Sequence, residues 1–384
     1  MFNLFSPKRT PLQCAKVQTK NFSKTISLQS KAGLLFISII INTKSYRLLL
    51  DTAAFTLFSP QLLAELQCKN TQESVQTIDA FGAQKDMEVY SLDSLEIGGL
   101  IFNDFFVIKD DFSKNFPLSC LEFDGILGFN LFQDLILDLN IEKKELILSD
   151  KLPSTQGFSS TKLLSLNTGI PAFKLQIENK TFEVGIDTGK NDGLMIGDKK
   201  FLNYCEQKEL QKQRTAGIFS SSFSGLNQFS FIDTFLLKNF KIINKIGISS
   251  FPISYQENAQ NIAGTAFLKN FHIIMDFKKR KVYLKKRNEE IKEDFLKSFG
   301  FLTFWNKEKK LYISAIVEGS PAYKSRLKIG DIILSINDLD TLNFSQKDYC
   351  EFSLLAQKSI FHDTTSVKLT IKRDTKLIQV ILNL

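Results

Sequence analysis

Short apolar runs separated by polar turns recur along most of the chain. Residues 35–41 and 46–50 are rich in aliphatic and β-branched side chains, and the polar residues 42–45 lie between them. The same arrangement returns at residues 173–177 and 182–186. Two apolar runs joined by a short polar turn are typical of a β-hairpin. The pattern therefore predicts a mainly β fold.

Further elements follow from the same pattern. A short helix is predicted at residues 59–67, because Pro60 is favourable at the first helical position. A stretch rich in Ser, Thr and Gly predicts an interlobe linker at residues 150–165. Two more strand pairs are predicted at residues 135–139 with 145–148, and at residues 271–277 with 281–284.

The hairpins belong to two copies of one unit. Asp51 and Asp187 lie 136 residues apart, and the same shift carries Ile126-Leu127-Gly128 onto Ile262-Ala263-Gly264. In each copy an Asp-Thr pair follows an apolar strand and lies 77 residues before the Gly of that second motif. The alternative, that each Asp only caps a helix, does not explain why both directly follow a buried strand. A duplicated unit with one acid per copy predicts a paired-carboxylate site.

After Lys286 the pattern changes. Gly319-Ser320-Pro321-Ala322 precedes a short helical stretch, Leu327-Lys328-Ile329-Gly330-Asp331 and an apolar strand. This order resembles a PDZ domain, apart from Arg326, where bacterial relatives usually carry Gly. The resemblance implies a peptide groove between a strand edge and a helix at residues 346–357, with a terminal carboxylate held by the loop Phe299, Gly300, Phe301 and Leu302. The alternative is a packed appendage with an empty groove.

Composition and charge exclude several classes of function. The chain has 384 residues, 43% of them hydrophobic, and a formal net charge of +8. Its basic residues are scattered, and the run at 278–281 falls on an expected turn, so no nucleic-acid partner is predicted. Two histidines and five cysteines without a C-x-x-C pair predict no metal site, no cofactor and no disulfide framework. His272, in an apolar strand, is interpreted as structural.

The N-terminal region carries no visible targeting signal. Residues 1–32 are basic and polar and lack the apolar core of a signal peptide. Residues 33–41 are too few to span a bilayer. We therefore expect no transmembrane segment and, by sequence, a cytoplasmic location, although a wrongly assigned start codon would hide an export signal.

Together these motifs resemble the retropepsin-like aspartic proteases, in the bacterial single-chain form with two lobes and a C-terminal PDZ domain. The resemblance covers residues 33–384 and implies two pseudo-symmetric β lobes. It implies an N-terminal extension at 1–32, a first lobe at 33–150, a second lobe at 151–287 and a PDZ domain at 295–384. The implied site residues are the catalytic Asp51, Asp187, Thr52 and Thr188, with Ala53, Ala54, Gly189 and Lys190 completing the two active-site loops.

The resemblance also implies a mechanism. Two carboxylates about 3 Å apart share one proton, so one can activate a water while the other protonates the scissile carbonyl. The threonine hydroxyls would hydrogen-bond across to the opposite loop. A peptide or protein substrate would lie under a mobile hairpin, for which residues 81–83 and 217–225 are candidates. Because both lobes are fused, a monomer can form the complete site.

Two departures leave a second function open. Ala53 stands where the family has Gly, and Lys190 stands where it has a short residue. An ammonium beside the dyad would favour the doubly ionised state and remove the catalytic acid. Asp192 is the candidate to neutralise it. The leading prediction is therefore an aspartic endopeptidase that uses its PDZ domain to bind peptide termini. The alternative is an inactive homologue that serves as a peptide-binding scaffold.

Overall fold

The fold is taken from a computed structural model of the chain. It describes residues 14–78, 84–166, 169–222, 225–242, 246–287, 298–356 and 364–384. In this part of the chain, strands far outnumber helices, and the predicted mainly β fold is confirmed. None of its helices has the length and apolar character that a bilayer span requires.

The first lobe is built on the predicted hairpin. Its elements are β1 (Lys16–Val17), β2 (Ser23–Ser27), β3 (Gln29–Lys31), β4 (Leu34–Ile41), β5 (Lys44–Leu50), β6 (Leu57–Phe58), α1 (Pro60–Glu65), β7 (Lys69–Ile78), β8 (Gln84–Ile97), β9 (Leu100–Lys109), β10 (Gly125–Leu127), β11 (Ile136–Asn140) and β12 (Glu145–Ser149). Strands β3, β4, β5, β10, β6, β9, β8 and β7 lie side by side in that order, and β1 pairs with β9.

Local sequence explains several of these elements. In β4 and β5 the buried positions are apolar, so the hairpin packs into the core as the pattern predicted. Helix α1 begins at Pro60, and the Ser59 hydroxyl accepts a hydrogen bond from the backbone N–H of Leu62. A serine cap followed by a proline is a strong helix start.

The second lobe repeats the first. Its elements are β13 (Ser159–Lys162), β14 (Leu164–Ser165), β15 (Pro171–Ile177), β16 (Lys180–Ile186), β17 (Leu194–Ile196), α2 (Lys199–Gln207), β18 (Lys212–Gly217), β19 (Ser221–Ser222), β20 (Gly225–Leu226), β21 (Ser230–Ile242), β22 (Ile246–Tyr255), β23 (Ile262–Ala263), α3 (Thr265–Leu268), β24 (Phe271–Asp276) and β25 (Lys281–Lys286).

A shared sheet joins the two lobes. Its strands lie in the order β13, β25, β24, β11, β12 and β2, and the central pair is β11 from one lobe with β24 from the other. Here His272 pairs with the buried carboxylate of Asp138, and its ring lies edge-on to Phe158. The pseudo-symmetry of the sequence repeat therefore becomes one continuous sheet at the base of the molecule.

Two segments differ from the sequence assignment. Residues 16–31, which we assigned to an N-terminal extension, contribute strands β1, β2 and β3 to the first lobe and the shared sheet. In β2 only Ile26 is buried, so the strand has no apolar pattern to reveal it. The assigned linker likewise contains β13, which pairs with β25.

The C-terminal region continues the sheet of the second lobe. Its elements are β26 (Phe301–Trp305), β27 (Leu311–Val317), α4 (Pro321–Lys324), β28 (Ile332–Ile336), β29 (Leu339–Asp340), α5 (Gln346–Glu351), β30 (Ser366–Arg373) and β31 (Lys376–Asn383). A π-helical segment, Phe352–Ala356, follows α5. Strand β27 pairs with β26 along one edge and, near its end, with β18 along the other. The predicted helix at residues 288–297 lies outside the described residues.

The prediction that the cysteines form no disulfide was wrong for one pair. Cys120 of the first lobe and Cys350 of helix α5 form a disulfide across 230 residues of sequence. Cys14, Cys68 and Cys205 remain free. Spacing along the chain carries no sign of this bond, because its two partners meet only when the C-terminal region packs against the first lobe.

The junction of β18 with β27 predicts a sensitive glycine. Gly217 has φ +135°, and a side chain there would lie 2.2 Å from the carbonyl oxygen of Ser314. Across this junction, the N–H of Ile218 donates to the backbone carbonyl of Ser314, and the N–H of Glu318 donates to the backbone carbonyl of Arg214, both at 2.8 Å. We expect Gly217→Ala to remove the slow hydrogen exchange of both amides and to cost about 1–3 kcal/mol of stability from the backbone alone.

Gly247 provides the matched control, because nothing lies within 4 Å of the position that its side chain would take. Gly247→Ala should leave both amides as protected as in the wild type. Unchanged protection in Gly217→Ala would contradict the requirement for glycine at this junction, and fast exchange of both amides in the wild type would show that the two strands do not pair in solution.

Candidate active site

Each lobe delivers its Asp from the end of a buried strand. Strand β5 runs parallel to β10, and β16 runs parallel to β23. Just beyond these pairs, the N–H of Asp51 donates to the carbonyl of Leu127, and the N–H of Asp187 donates to that of Ala263, both at 3.0 Å. The second sequence motif of each repeat therefore positions the backbone of the aspartate.

The two loops are joined by crossed hydrogen bonds. The Thr52 hydroxyl donates to the carbonyl of Ile186, and the Thr188 hydroxyl donates to that of Leu50, both at 2.7 Å. Each hydroxyl also accepts from the backbone N–H of the other threonine at 3.1 Å. Both threonines are fully buried. Four buried bonds with matching lengths hold the loops in a symmetric arrangement.

The two carboxylates meet at this junction. The N–H of Ala53 donates to Asp51 at 2.8 Å, and the N–H of Gly189 donates to Asp187 at 2.9 Å. Asp51 and Asp187 are only 7% and 5% exposed. A side chain at Gly189 would lie 2.2 Å from an oxygen of Asp51, so only glycine admits the opposite carboxylate this closely.

The environment favours protonation of the pair. Burial and, after it, the negative charge of Asp51 raise the pKa of Asp187 to about 8. Burial also raises the pKa of Asp51, against the lowering effect of the N–H groups of Ala53 and Ala54 and of a hydrogen bond with Asp187. The cause is general, because a low-dielectric site disfavours two adjacent negative charges. The pair therefore retains a proton at a pH where isolated carboxyl groups are ionised.

Lys190 is engaged by a local partner. Its ammonium lies 2.8 Å from a carboxylate oxygen of Asp192, and its side chain is 31% exposed. The charge still lowers the pKa of Asp187, but it ranks behind burial and Asp51 among the influences on that group. Asp192, the neutralising residue predicted from the sequence, is therefore the ion-pair partner of Lys190 in the structure.

Ala53 is accommodated by packing. It is 1% exposed and packs with Ile170 and Ile262 of the second lobe. Its N–H donates to Asp51, as the N–H of Gly189 donates to Asp187 in the other loop. The extra methyl group thus lies in an apolar contact between the lobes, and the loop retains its hydrogen bonds.

The loops are supported from behind in the same way in both lobes. The N–H of Phe129 donates to the carbonyl of Ala54 at 2.9 Å, and that of Thr265 donates to the carbonyl of Lys190 at 2.7 Å. A side chain at Gly128 would lie 2.4 Å from the Ala54 carbonyl oxygen. The glycine of the repeated motif is thus required by close contact with the active-site loop.

Each candidate flap is flanked by two strands that pair with each other, β7 with β8 and β18 with β21. Residues 81–83 lie outside the described residues, between β7 and β8. The other candidate, residues 217–225, follows β18, and β19 pairs with β20 near its tip. The side-chain oxygen of Asn227 accepts from the N–H groups of Phe219 and Ser220, both at 3.0 Å, and orders the base of this tip.

The candidate peptide-binding loop lies at the start of β26. The carbonyl of Gly300 accepts from the N–H of Val317 at 2.8 Å, and that of Phe299 accepts from Ala322 at 2.9 Å. Phe301 and Leu302 continue into the strand. These contacts tie the loop to the end of β27 and to helix α4.

A first-lobe residue that the sequence did not single out also reaches this region. The ring of Phe116 lies 5.5 Å from that of Trp305 on β26 and 5.0 Å from that of Tyr349 on α5. A single Phe in a Phe-rich chain carries no signal for such a contact.

Comparison with known proteins gives two matches to family models. Residues 37–131 match the family model of aspartyl proteases, a stretch that includes Asp51 and ends before Asp187. Residues 290–372 match the PDZ domain model. No curated protein matches the chain in sequence. Among solved structures, basic 7S globulin from soybean is similar with a TM-score of 0.42 and 10% identity, over 72% of this chain and 95% of that one.

The predicted resemblance is thereby confirmed for the first lobe and the C-terminal region. Residues 37–131 are therefore similar to aspartyl proteases, and residues 290–372 are similar to PDZ domains.

Proposed function

We propose that the protein is an aspartic endopeptidase whose catalytic groups are Asp51 and Asp187. The observation that carries the proposal is the buried carboxylate pair held by the crossed bonds of Thr52 and Thr188. A helix cap or a structural acid needs neither a second carboxylate nor a symmetric support. A shared proton needs a second carboxylate and a support that holds the two carboxylates together.

The chemistry follows from that proton. One carboxylate is ionised and takes a proton from a water molecule as it attacks the scissile carbonyl. The other is protonated and donates to the carbonyl oxygen, so charge does not accumulate on the tetrahedral intermediate. The two aspartates titrate as a unit, so the roles of acid and base are assigned to the pair and not to Asp51 or Asp187 individually. In this scheme Thr52 and Thr188 position the carboxylates, and Ala53 and Gly189 orient them through their N–H groups.

The PDZ domain supplies a second proposed role. PDZ domains bind an extended peptide as an added strand, and loop N–H groups hold its terminal carboxylate. In this chain the strand is β26 and the loop comprises Phe299, Gly300, Phe301 and Leu302. We propose that it binds termini of substrate or partner peptides. In support of this role, β27 pairs with β18, the strand that leads into a candidate flap.

The inactive-scaffold alternative rests on Ala53 and Lys190. Two observations reduce its weight. Lys190 is paired with Asp192, and Ala53 packs between the lobes while its loop keeps the bond to Asp51. Failure of the folded protein to cleave peptides at any pH would favour the scaffold.

Removing either acid should abolish cleavage. For Asp51→Asn and Asp187→Asn we expect kcat/KM to fall by at least about 10²–10⁴-fold, the usual contribution of a general acid or base. The measurement is cleavage of a mixed peptide library from acidic to mildly alkaline pH, with mass-spectrometric detection. Asp93→Asn is the control, because Asp93 lies in an exposed ion pair with Lys69. Full activity in either dyad variant would refute the proposed mechanism.

The pH profile should respond to Lys190 in opposite directions. Its ammonium lowers the pKa of Asp187, so Lys190→Met should move the alkaline limb of kcat/KM to higher pH. Asp192→Asn removes the ion-pair partner and should move the limb to lower pH. We expect shifts of about half a unit to one unit, at the low end of the effect of a neighbouring charge. Shifts of the same sign would show that the ammonium does not act through its charge.

Stability should report the shared proton without any substrate. Because burial and the negative charge of Asp51 raise the pKa of Asp187 to about 8, the folded protein binds a proton that the unfolded chain releases above about pH 4. Stability should therefore fall as pH rises through this window, by up to about 1.4 kcal/mol per unit for one proton. Asp187→Asn should flatten this dependence in denaturant titrations. An equal slope in both proteins would exclude a retained proton on the dyad.

A further inference from the structure

A segment of the first lobe lies against both elements that define a PDZ peptide groove. Phe116 contacts Trp305 on β26 and Tyr349 on α5, and these two rings stack at 5.1 Å with an interplanar angle of 11°. Nearby, Cys120 is 3% exposed and belongs to the apolar core of the PDZ domain. The segment thus contributes side chains to a domain from which it is distant in sequence.

The segment is firmly anchored to the first lobe. The Lys31 ammonium donates to the carbonyls of Cys120 and Leu121 at 3.0 and 3.3 Å and pairs with Glu122 at 3.0 Å. The Arg47 guanidinium donates to the carbonyls of Leu121 and Glu122. Because these two cations hold the backbone around Cys120, this segment moves together with the rest of the first lobe.

The disulfide attaches this anchored segment to the groove helix. Cys350 lies next to Tyr349 on α5, so the covalent bond and the ring contact act on one face of the PDZ domain. A covalent tether keeps its segment in place at an effective concentration that a free peptide does not reach at ordinary levels. Without the bond, Phe116 is held there by ring and apolar contacts, which a peptide can displace.

We propose that the Cys120–Cys350 disulfide is a redox lock on the PDZ domain: oxidised, it holds Phe116 over the groove, and reduced, it opens the groove to peptide termini. The inference rests on the proposed peptide-binding role of that domain. It adds a modification site, because the disulfide would be cleaved by a thiol reductant. It also identifies the first-lobe segment that carries Phe116 as the occupant of the groove.

The chemistry is thiol–disulfide exchange. A dithiol reductant attacks one sulfur as its thiolate, forming a mixed disulfide and releasing the other cysteine. Its second thiol then closes its own disulfide and releases the first cysteine. The S–S bond gains two electrons and two protons, and the dithiol loses them. Helix α5 is then no longer covalently linked to the first lobe, while β27 remains paired with β18.

The single tryptophan of the chain tests the lock directly. Trp305 is 7% exposed and contacts the rings of both Phe116 and Tyr349. We expect dithiothreitol to shift its emission to longer wavelength and to increase acrylamide quenching severalfold. The double variant Cys120→Ser/Cys350→Ser should show the reduced signal with and without dithiothreitol. This variant keeps the three free cysteines and therefore controls for their reaction with the reagent.

Peptide binding tests the consequence. Fluorescent peptides with free, apolar C-termini should bind the reduced wild type and the double variant at least about tenfold more tightly than the oxidised wild type, a difference of about 1.4 kcal/mol. The same peptides with C-terminal amides are the control, because the carboxylate is the group that the loop is proposed to hold. Phe116→Ala should bind more tightly than the wild type under reducing conditions.

The outcomes separate the two proposals. Trp305 emission and quenching that are identical in oxidised protein, reduced protein and the double variant would overturn the lock and leave the disulfide as a structural link. Release of Trp305 without binding of any peptide in either state would support the lock and refute the proposed peptide-binding role. Equal peptide affinity in both redox states would overturn the lock even if Trp305 responds.

Discussion

The crossed hydrogen bonds of Thr52 and Thr188 are the constraint on which the rest of the structure depends. Each threonine hydroxyl donates to the strand that ends at the opposite aspartate and accepts from the opposite loop. All four hydrogen bonds are buried, and an unpaired buried polar group is costly. The two lobes can therefore satisfy these groups only by keeping the loops face to face, which also brings Asp51 and Asp187 together.

The symmetry of the loops is incomplete, and the differences lie where each lobe meets the other. Gly189 leaves room for the carboxylate of Asp51, whereas Ala53 fills an apolar contact with Ile170 and Ile262. Lys190 adds a charge beside Asp187 that has no counterpart in the first lobe. The two aspartates consequently have different surroundings, which is the usual way in which a protein separates the properties of paired acids.

The PDZ domain is part of the body of the protein. Strand β27 extends the sheet of the second lobe through β18, and the disulfide joins helix α5 to the first lobe. The Cys120 segment leads within a few residues into β10, the strand whose carbonyl positions Asp51. On the first-lobe side, the path along the chain from the disulfide to the loop of Asp51 is therefore short.

The sequence by itself determined the features that depend on neighbouring residues or on the internal repeat. These include the hairpins, the two Asp-Thr loops and the pairing of Lys190 with Asp192. Tertiary structure alone decided the disulfide, the contacts of Phe116 and the strand role of residues 16–31. These depend on surfaces that are distant in sequence, 230 residues apart in the case of the disulfide. Hydrophobic periodicity records which face of an element is buried, and it does not record what is packed against that face.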